Sequence, residues 1–140
     1  MSIIRSADGI DFDVTAGVLI IGAGAAGLVA ALAAKTEGAD VLVVERDAIP
    51  SGSTALSAGL IPAASTKFQR AQGIDDSVEQ FTRDILAKSD GKSNAATLDV
   101  AVKNVGPALE WLNERFGLAF DVIADFKYPG HSRFRMHGLK

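Results

Sequence analysis

The sequence predicts an α/β fold built on a parallel β-α-β unit, and three observations support this class. Two apolar runs rich in β-branched residues, Val18–Ile21 and Val41–Val44, are typical of strands buried on both faces. Between them, closely spaced glycines lead into an Ala- and Leu-rich helix over Ala25–Lys35, with Gly38 as the expected C-terminal cap. Together these segments form one right-handed crossover unit.

Composition excludes several classes of protein. The chain has 140 residues, of which 48% are hydrophobic and 22% charged, so it is not a disordered sequence. With a net charge of -3, the chain lacks the excess of basic residues that is typical of nucleic-acid-binding proteins. The absence of cysteine excludes disulfides and thiolate metal sites. The uncharged run Gly17–Ala34 approaches the length of a membrane span, but its clustered glycines and acidic upstream flank argue against a span or signal peptide.

Beyond the second strand, the sequence predicts a loop and then an amphipathic helix. Residues 47–66 are rich in Pro, Gly, Ser and Thr, which is typical of a loop. A helix is expected over Asp76–Ser89 because Asp76 and Glu79 have the spacing of an N-cap and its N3 partner. The sequence Asp90-Gly91 is expected to end it. The predicted core face comprises Val78, Phe81 and Ile85.

The last third of the chain continues one apolar stripe at helical spacing from Leu98 to Phe116. Gly106-Pro107 lies inside this stripe and is expected to divide it into two helices, the second ending at Gly117. Residues 118–125 are predicted as a strand, and residues 127–140 as an irregular basic tail. Met1–Asp13 is expected to be a short leading segment or edge element.

The glycines between the two strands form the pattern G-x-G-x-x-G. Gly22 allows a sharp turn, Gly24 lets a pyrophosphate approach the backbone, and Gly27 permits close packing of helix and strand. The helix start offers unpaired N–H groups to phosphates. Glu45 follows the second strand, where a carboxylate can accept both ribose hydroxyls and would repel the 2′-phosphate of NADP. The predicted contacts are Gly22, Ala23, Gly24, Ala25, Ala26, Gly27 and Glu45.

These features predict a Rossmann-like unit that binds FAD or NAD, a choice that the glycine pattern leaves open. Alternatively, the Ala- and Gly-rich helix packs closely without a ligand and Glu45 is a solvated acid. Only two parallel strands are evident, with one further candidate near Phe120, whereas such sheets usually have about 5–6 strands. We therefore expect an incomplete, truncated domain.

The segment Ser51–Ala64, together with the glycine turn and Glu45-Arg46, resembles the flavoprotein subunits of fumarate reductase and succinate dehydrogenase. The wider family includes soluble fumarate reductases, L-aspartate oxidases and 3-ketosteroid dehydrogenases. The resemblance implies that FAD is the cofactor and that this loop wraps its pyrophosphate and part of the flavin ring. The residues implicated in this way are Arg46, Gly52, Ser53, Thr54, Ser57, Ala58 and Gly59.

A second resemblance lies in residues 129–137, where Ser132, Arg135 and His137 match the family pattern G-G-x-S-x-x-R-x-H. The chain also departs from the family. Leu60 replaces the second glycine of the loop's Gly-Gly pair. Ser53 occupies the position of a histidine that is bonded covalently to the flavin in membrane-bound succinate dehydrogenases, so the resemblance implies non-covalent FAD.

The resemblance implies that residues 1–140 are the N-terminal FAD-binding part of an oxidoreductase, without its capping or substrate domain. The reaction would transfer hydride between the flavin and a C–C bond beside a carbonyl or carboxylate, in a carboxylic acid or ketosteroid. The catalytic residues would lie downstream, and the remaining partner would be the rest of the enzyme or another subunit.

Two alternatives remain. One is a stand-alone dinucleotide-binding module or subunit without catalysis, and the other is an NAD-linked dehydrogenase, which fits the glycine turn but not the Ser53–Gly59 loop. No metal site is expected, because His131 and His137 have no cysteine nearby and Asp125 is a poor third ligand. The lack of a targeting segment favours the cytoplasm.

Overall fold

The computed structural model describes residues 6–140, so Met1–Arg5 of the predicted leading segment lie outside it. Two compact units are present, one ending at Ser57 and the other spanning Ala58–Lys140. The elements of the first unit are β1 (Val18–Ile21), α1 (Ala25–Thr36), β2 (Val41–Val44) and α2 (Ser53–Leu56). The elements of the second are β3 (Ile61–Pro62), α3 (Lys67–Ala71), α4 (Val78–Lys88), α5 (Ala95–Phe116), β4 (Phe120–Val122) and β5 (Met136–Leu139).

The first unit is the predicted β-α-β unit. Strands β1 and β2 pair in parallel, in a register that runs from Val18 opposite Val41 to Ile21 opposite Val44. Helix α1 ends in a Schellman motif, in which Gly38 has a φ of +83° and its N–H donates to the carbonyl of Lys35. Both strands and the helix are therefore confirmed, and Gly38 lies one residue beyond the C-cap, Glu37.

The second unit is built on a three-stranded antiparallel sheet in the order β3-β5-β4. The strand predicted near Phe120 exists as β4, but it belongs to this sheet and not to the parallel one. The prediction of an irregular tail over residues 127–140 was wrong at residues 136–139, because these form β5, the central strand of this sheet. Its backbone groups pair on both sides, with β3 and with β4.

The core of the second unit lies between α4 and α5. Phe81 of α4 is buried with Leu98 and Val102 of α5 and with Ala64. The predicted core face of α4 is confirmed, since Val78 and Ile85 pack against this cluster. The helix starts one residue later than expected: Ser77, not Asp76, is the N-cap, and its hydroxyl accepts from the Gln80 N–H.

The predicted division at Gly106-Pro107 was also wrong, since α5 is one helix of 22 residues with Pro107 inside it. Proline removes one backbone hydrogen bond there. The apolar stripe nevertheless continues, with buried residues before and after it, and its packing offsets that loss. A Cβ on Gly106 would lie 2.9 Å from the carbonyl oxygen of Ala64, so glycine allows the close approach that seats this helix. Gly117 ends α5 with a φ of +69°, as predicted.

The predicted loop over residues 47–66 contains two short elements, α2 and β3, and α3 follows it without having been predicted. Helix α3 begins with a capping box: Thr66 accepts from the Gln69 N–H, and the Gln69 side chain accepts from the Thr66 N–H. Within residues 6–140, none of the helices has the length and apolar character needed to cross a membrane.

Candidate functional site

The glycine turn joins the end of β1 to the start of α1. Gly22 has a φ of +101°, and its N–H donates to the carbonyl of Val44 at 2.7 Å, which ties the turn to the end of β2. A Cβ on Gly27 would lie only 1.9 Å from the carbonyl oxygen of Gly22. The first turn of the helix therefore packs directly on the backbone of the glycine turn, and only glycine fits at position 27.

The N-terminus of α1 is only partly capped. Gly24 is the N-cap residue and supplies no side-chain cap. The N–H of Ala25 donates instead to Oγ1 of Thr54 at 3.0 Å. The amides of Ala26 and Gly27 have no partner within the helix, as in the first turn of any α-helix. The partial positive charge at this helix end favours an anion.

Glu45 lies beside the glycine turn because it directly follows β2. Its Oε2 accepts from the Ala23 N–H at 2.8 Å, and its Oε1 accepts from the N–H groups of Arg46 and Asp47 at 2.8 and 3.2 Å. The hydrogen bond from Ala23, followed by that from Asp47, lowers the pKa of Glu45. The side chain is exposed, so a fixed, ionised carboxylate faces solvent next to the helix N-terminus.

Part of the predicted loop lines a cavity of about 180 Å³ with the glycine turn. The lining residues are Ala23, Gly24, Ala25, Leu28, Pro50, Gly52, Thr54 and Ala55. Ser53 and Ser57 are exposed on α2 and at its end, and the Ser57 hydroxyl donates to the carbonyl of Thr54. The first unit thus brings five predicted residues together around one cavity.

Three other predicted residues lie elsewhere. The Arg46 side chain is 88% exposed and pairs with Asp47 through its Nε at 3.1 Å. Ala58 and Gly59 belong to the second unit, where they line a cavity of about 390 Å³ with Asp121 and others. That cavity is formed within the second unit by the segment before β3 and by β4 and β5.

The second motif forms a buried ion cluster in the second unit. Arg135 has a fully buried side chain, and its guanidinium donates to both carboxylate oxygens of Asp76 and to Asp84. Ser132 donates to Asp84 through both its N–H and its hydroxyl, at 2.7 Å each. Burial works against ionisation of Asp84, but the bonds from Arg135 and Ser132 outweigh it and hold its pKa well below the usual range. Arg135 therefore fixes the start of β5 against α4.

His137 is also fully buried. Its Nε2 lies 2.8 Å from Oγ1 of Thr66, and its Nδ1 lies 2.7 Å from the carbonyl oxygen of Arg135. The carbonyl can only accept, so Nδ1 carries the proton and Nε2 accepts from the Thr66 hydroxyl. Burial lowers the pKa of His137, which stabilises this neutral form. Ser132, Arg135 and His137 thus have structural partners, and each anchors the strand that contains it or that it precedes.

Sequence reasoning missed the acidic partners of this cluster. Asp76 and Asp84 lie four residues on either side of Gln80, which donates to Asp84 at 2.9 Å. This four-residue spacing, from Asp76 just before the N-cap of α4 to Asp84 within the helix, was the available signal. Nothing local in the sequence connected it with Arg135, 59 residues beyond Asp76.

The first unit fits a dinucleotide. A carboxylate at the end of β2 can accept ribose hydroxyls, while helix amides and backbone unobstructed by a side chain at Gly24 suit a diphosphate. Apolar small residues line the adjoining cavity. These groups can bind and orient a ligand.

Comparison with known proteins places this geometry in a family. The family described as FAD binding domain matches residues 17–138. An NADH:fumarate oxidoreductase of Klebsiella pneumoniae is 42% identical over 98 residues, which are 70% of this chain and 11% of that protein. A urocanate reductase of Eggerthella lenta is 34% identical over 131 residues, 94% of this chain and 21% of that protein.

Solved structures agree. An open conformation of a flavocytochrome c3 fumarate reductase superposes with a TM-score of 0.77 at 32% identity, covering 87% of this chain and 21% of the other. A 3-ketosteroid-Δ4-(5α)-dehydrogenase from Rhodococcus jostii RHA1 gives 0.73 at 31% identity, covering 83% and 24%. The chain thus spans between about a tenth and a quarter of the length of these relatives. The chain belongs to the FAD binding domain family, with the fold found in fumarate reductase-like and ketosteroid dehydrogenase-like flavoenzymes.

Proposed function

We propose that this chain supplies the FAD-binding part of an oxidoreductase that acts on a C–C bond beside a carboxylate or carbonyl. The named substrates of its relatives support this chemistry. Fumarate, urocanate and acrylate are unsaturated carboxylates, and the ketosteroid dehydrogenase acts on the corresponding bond of a cyclic ketone. The proposed substrate is therefore a small unsaturated or saturated carboxylic acid, or a ketosteroid.

The observation that carries the proposal is the pairing of Glu45 with the amide of Ala23. It holds a carboxylate, the kind of group that accepts ribose hydroxyls, beside an amide-rich helix start, the kind of group that binds a diphosphate. We assign the adenosine ribose to Glu45 and the diphosphate to the backbone of Gly22–Gly27, with Gly52, Ser53 and Ser57 of the same unit as the proposed further contacts. Bound FAD would supply hydride transfer at its flavin ring. No residue of this chain is assigned to substrate activation.

The proposal is tested by titrating the purified chain with FAD and following flavin fluorescence and the visible absorbance bands. Glu45→Ala removes the acceptor of a charge-assisted hydrogen bond, so we expect FAD affinity to fall by about 1–3 kcal/mol, roughly 5- to 150-fold. Glu37→Ala is the matched control, because Glu37 caps the opposite end of α1 and should leave the affinity unchanged. Equal affinities for wild type and Glu45→Ala would remove Glu45 from the site.

The same titration with NAD distinguishes the alternatives. Binding of NAD without binding of FAD would refute the flavin proposal and favour an NAD-linked protein. FAD binding with no turnover of fumarate or ketosteroid, even after the chain is combined with the remainder of a full-length relative, would favour a binding module without catalysis.

We also propose that FAD is held without a covalent bond through residue 53, because a serine hydroxyl does not form the histidine-type linkage at that position. Acid precipitation of the FAD-loaded protein should leave the flavin in the supernatant. Flavin that stays with the washed pellet would contradict this prediction. The cytoplasmic location stays a prediction, which fractionation of the native cells would test.

A further inference from the structure

Helix α1 is capped by a residue distant in sequence. Ser, Thr, Asp and Asn usually cap a helix from the N-cap position itself. Three helices of the second unit follow this rule, with the cap residues Thr66, Ser77 and Asn94. Helix α1 has Gly24 at its N-cap, and the oxygen that accepts from its Ala25 amide belongs to Thr54.

The location of this bond connects it with the proposed cofactor site. Thr54, Gly24 and Ala25 all line the 180 Å³ cavity of the first unit. A Cβ on Gly24 would meet the Thr54 hydroxyl at 3.5 Å, an ordinary contact, and the φ of Gly24 is -78°. A side chain at position 24 is therefore sterically allowed, but a self-capping residue would add atoms to the cavity wall. Because Thr54 caps the helix instead, the part of the wall formed by Gly24 carries no side chain.

The amides of the turn are divided between the protein's own side chains and solvent. Ala23 donates to Glu45, and Ala25 donates to Thr54. Each bond joins the glycine turn to a different segment, the first to the end of β2 and the second to α2. The first-turn amides of Ala26 and Gly27 remain available to a ligand.

We propose that Thr54 is a positioning residue of this site, whose hydroxyl acts by capping α1 and holding α2 against the glycine turn. This inference rests on the proposed function, since it assumes that the cavity receives a dinucleotide. Because Thr54 holds the start of α1 and α2 in place before the ligand binds, less conformational entropy is lost on binding. Its contribution to affinity should depend on the hydroxyl.

The test compares three variants of the full chain by FAD titration at a temperature where circular dichroism shows each to be folded. Thr54→Val keeps the shape and removes the hydroxyl, and Thr54→Ser keeps the hydroxyl. Thr36→Val is the matched control, because the Thr36 hydroxyl donates within α1 to Leu32, at the opposite end of the helix. Hydrogen exchange of the Ala25 amide, measured by NMR without ligand, reports the cap directly.

We expect Thr54→Val to bind FAD about tenfold more weakly, the scale of one lost helix cap. Thr54→Ser should stay within about twofold of wild type, and Thr36→Val should match wild type. The Ala25 amide should exchange faster in Thr54→Val than in wild type or Thr54→Ser.

Three results would overturn the inference. One is a Thr54→Val protein with a lower melting temperature but unchanged FAD affinity, which would mean that the cap is only structural. Another is an equal loss of affinity in Thr54→Ser, and the third is unchanged exchange of Ala25. Failure of the wild type to bind FAD would instead refute the proposed function, so the two failures are distinguishable.

Discussion

Arg135 is the residue whose replacement should damage the second unit most. Its side chain is fully buried, and its two acidic partners, Asp76 and Asp84, have side chains 0% and 10% exposed. Arg135→Met keeps much of the length of the side chain and removes the charge. The two carboxylates, which now accept three hydrogen bonds from the guanidinium, would then lie in the interior without a cation.

The expected loss follows from this burial. Removing one partner of a buried ion pair typically costs about 3–5 kcal/mol, because the remaining charge is left uncompensated. Natural domains have a total stability of about 5–15 kcal/mol, so the second unit would lose a large fraction. The loss should shrink in acid. The pKa of Asp84 is lowered, so its contribution in the wild type is present above its unfolded value of about 3.9 and is lost as the pH falls below it.

Trp111 provides the assay, because it is the chain's single tryptophan and belongs to α5 of the second unit, with its ring 5.0 Å from that of Phe116. Its fluorescence should follow urea unfolding of that unit. Arg133→Met is the control: Arg133 is exposed and bonds backbone carbonyls, so we expect a loss below about 1 kcal/mol. Equal unfolding midpoints for Arg135→Met and Arg133→Met would refute the reasoning.

A triple variant tests the cause more closely. Adding Asp76→Asn and Asp84→Asn to Arg135→Met removes the uncompensated charges. Part of the lost stability should return, because neutral amides are far less costly to bury than carboxylates. If the triple variant is no more stable than Arg135→Met alone, the penalty does not come from buried charge.

Two further predictions concern the glycine turn and the buried imidazole. Gly27→Ala should lower the melting temperature of the first unit and slow or abolish FAD binding, because its Cβ would clash with the Gly22 carbonyl. Overpacking of this kind costs about 1–3 kcal/mol or more. Gly52→Ala is the control: its Cβ would meet no atom within 4 Å, so circular dichroism should show an unchanged fold. A normal melting curve for Gly27→Ala would contradict this account. Burial lowers the pKa of His137, so the unfolded chain binds a proton at a higher pH than the folded chain does. The contribution of the neutral imidazole to stability should therefore be fully present above about pH 6.5 and should be lost progressively as the pH falls below that value. His131→Phe removes the other imidazole, and a urea midpoint in that variant that stays constant from pH 8 to 5 would contradict the prediction.

The first unit could be predicted because short segments of sequence specify each of its elements. Both strands, the helix and the glycine turn lie within residues 18–44, and each element has its own residue pattern. The positions of Glu45 and Gly27 follow from the ends of these elements. The contact between Ala25 and Thr54 did not follow, because it joins residues 29 apart through a segment that resembled a plain loop.

The second unit was predictable only in part. The apolar faces of α4 and α5 have a clear helical period, and the structure confirms both faces except at the end of α5, where Phe116 is exposed. The low helix propensity of proline led to a wrong prediction of a break at Pro107, because burial of the apolar stripe on both sides offsets one missing hydrogen bond. The C-terminal segment was also predicted wrongly, because its Arg and Lys residues suggested a solvated tail.

The sequence by itself determined the parallel β-α-β unit, the glycine turn and the acid after the second strand, because short-range periodicity and backbone sterics specify them. Only the tertiary structure decided that residues 136–139 form the central strand of a separate antiparallel sheet. The physical reason is that this strand depends on partners far away in the chain. Arg135 is neutralised by Asp76 and His137 is satisfied by Thr66, across 59 and 71 residues, and buried polar groups are stable only when such partners are in place.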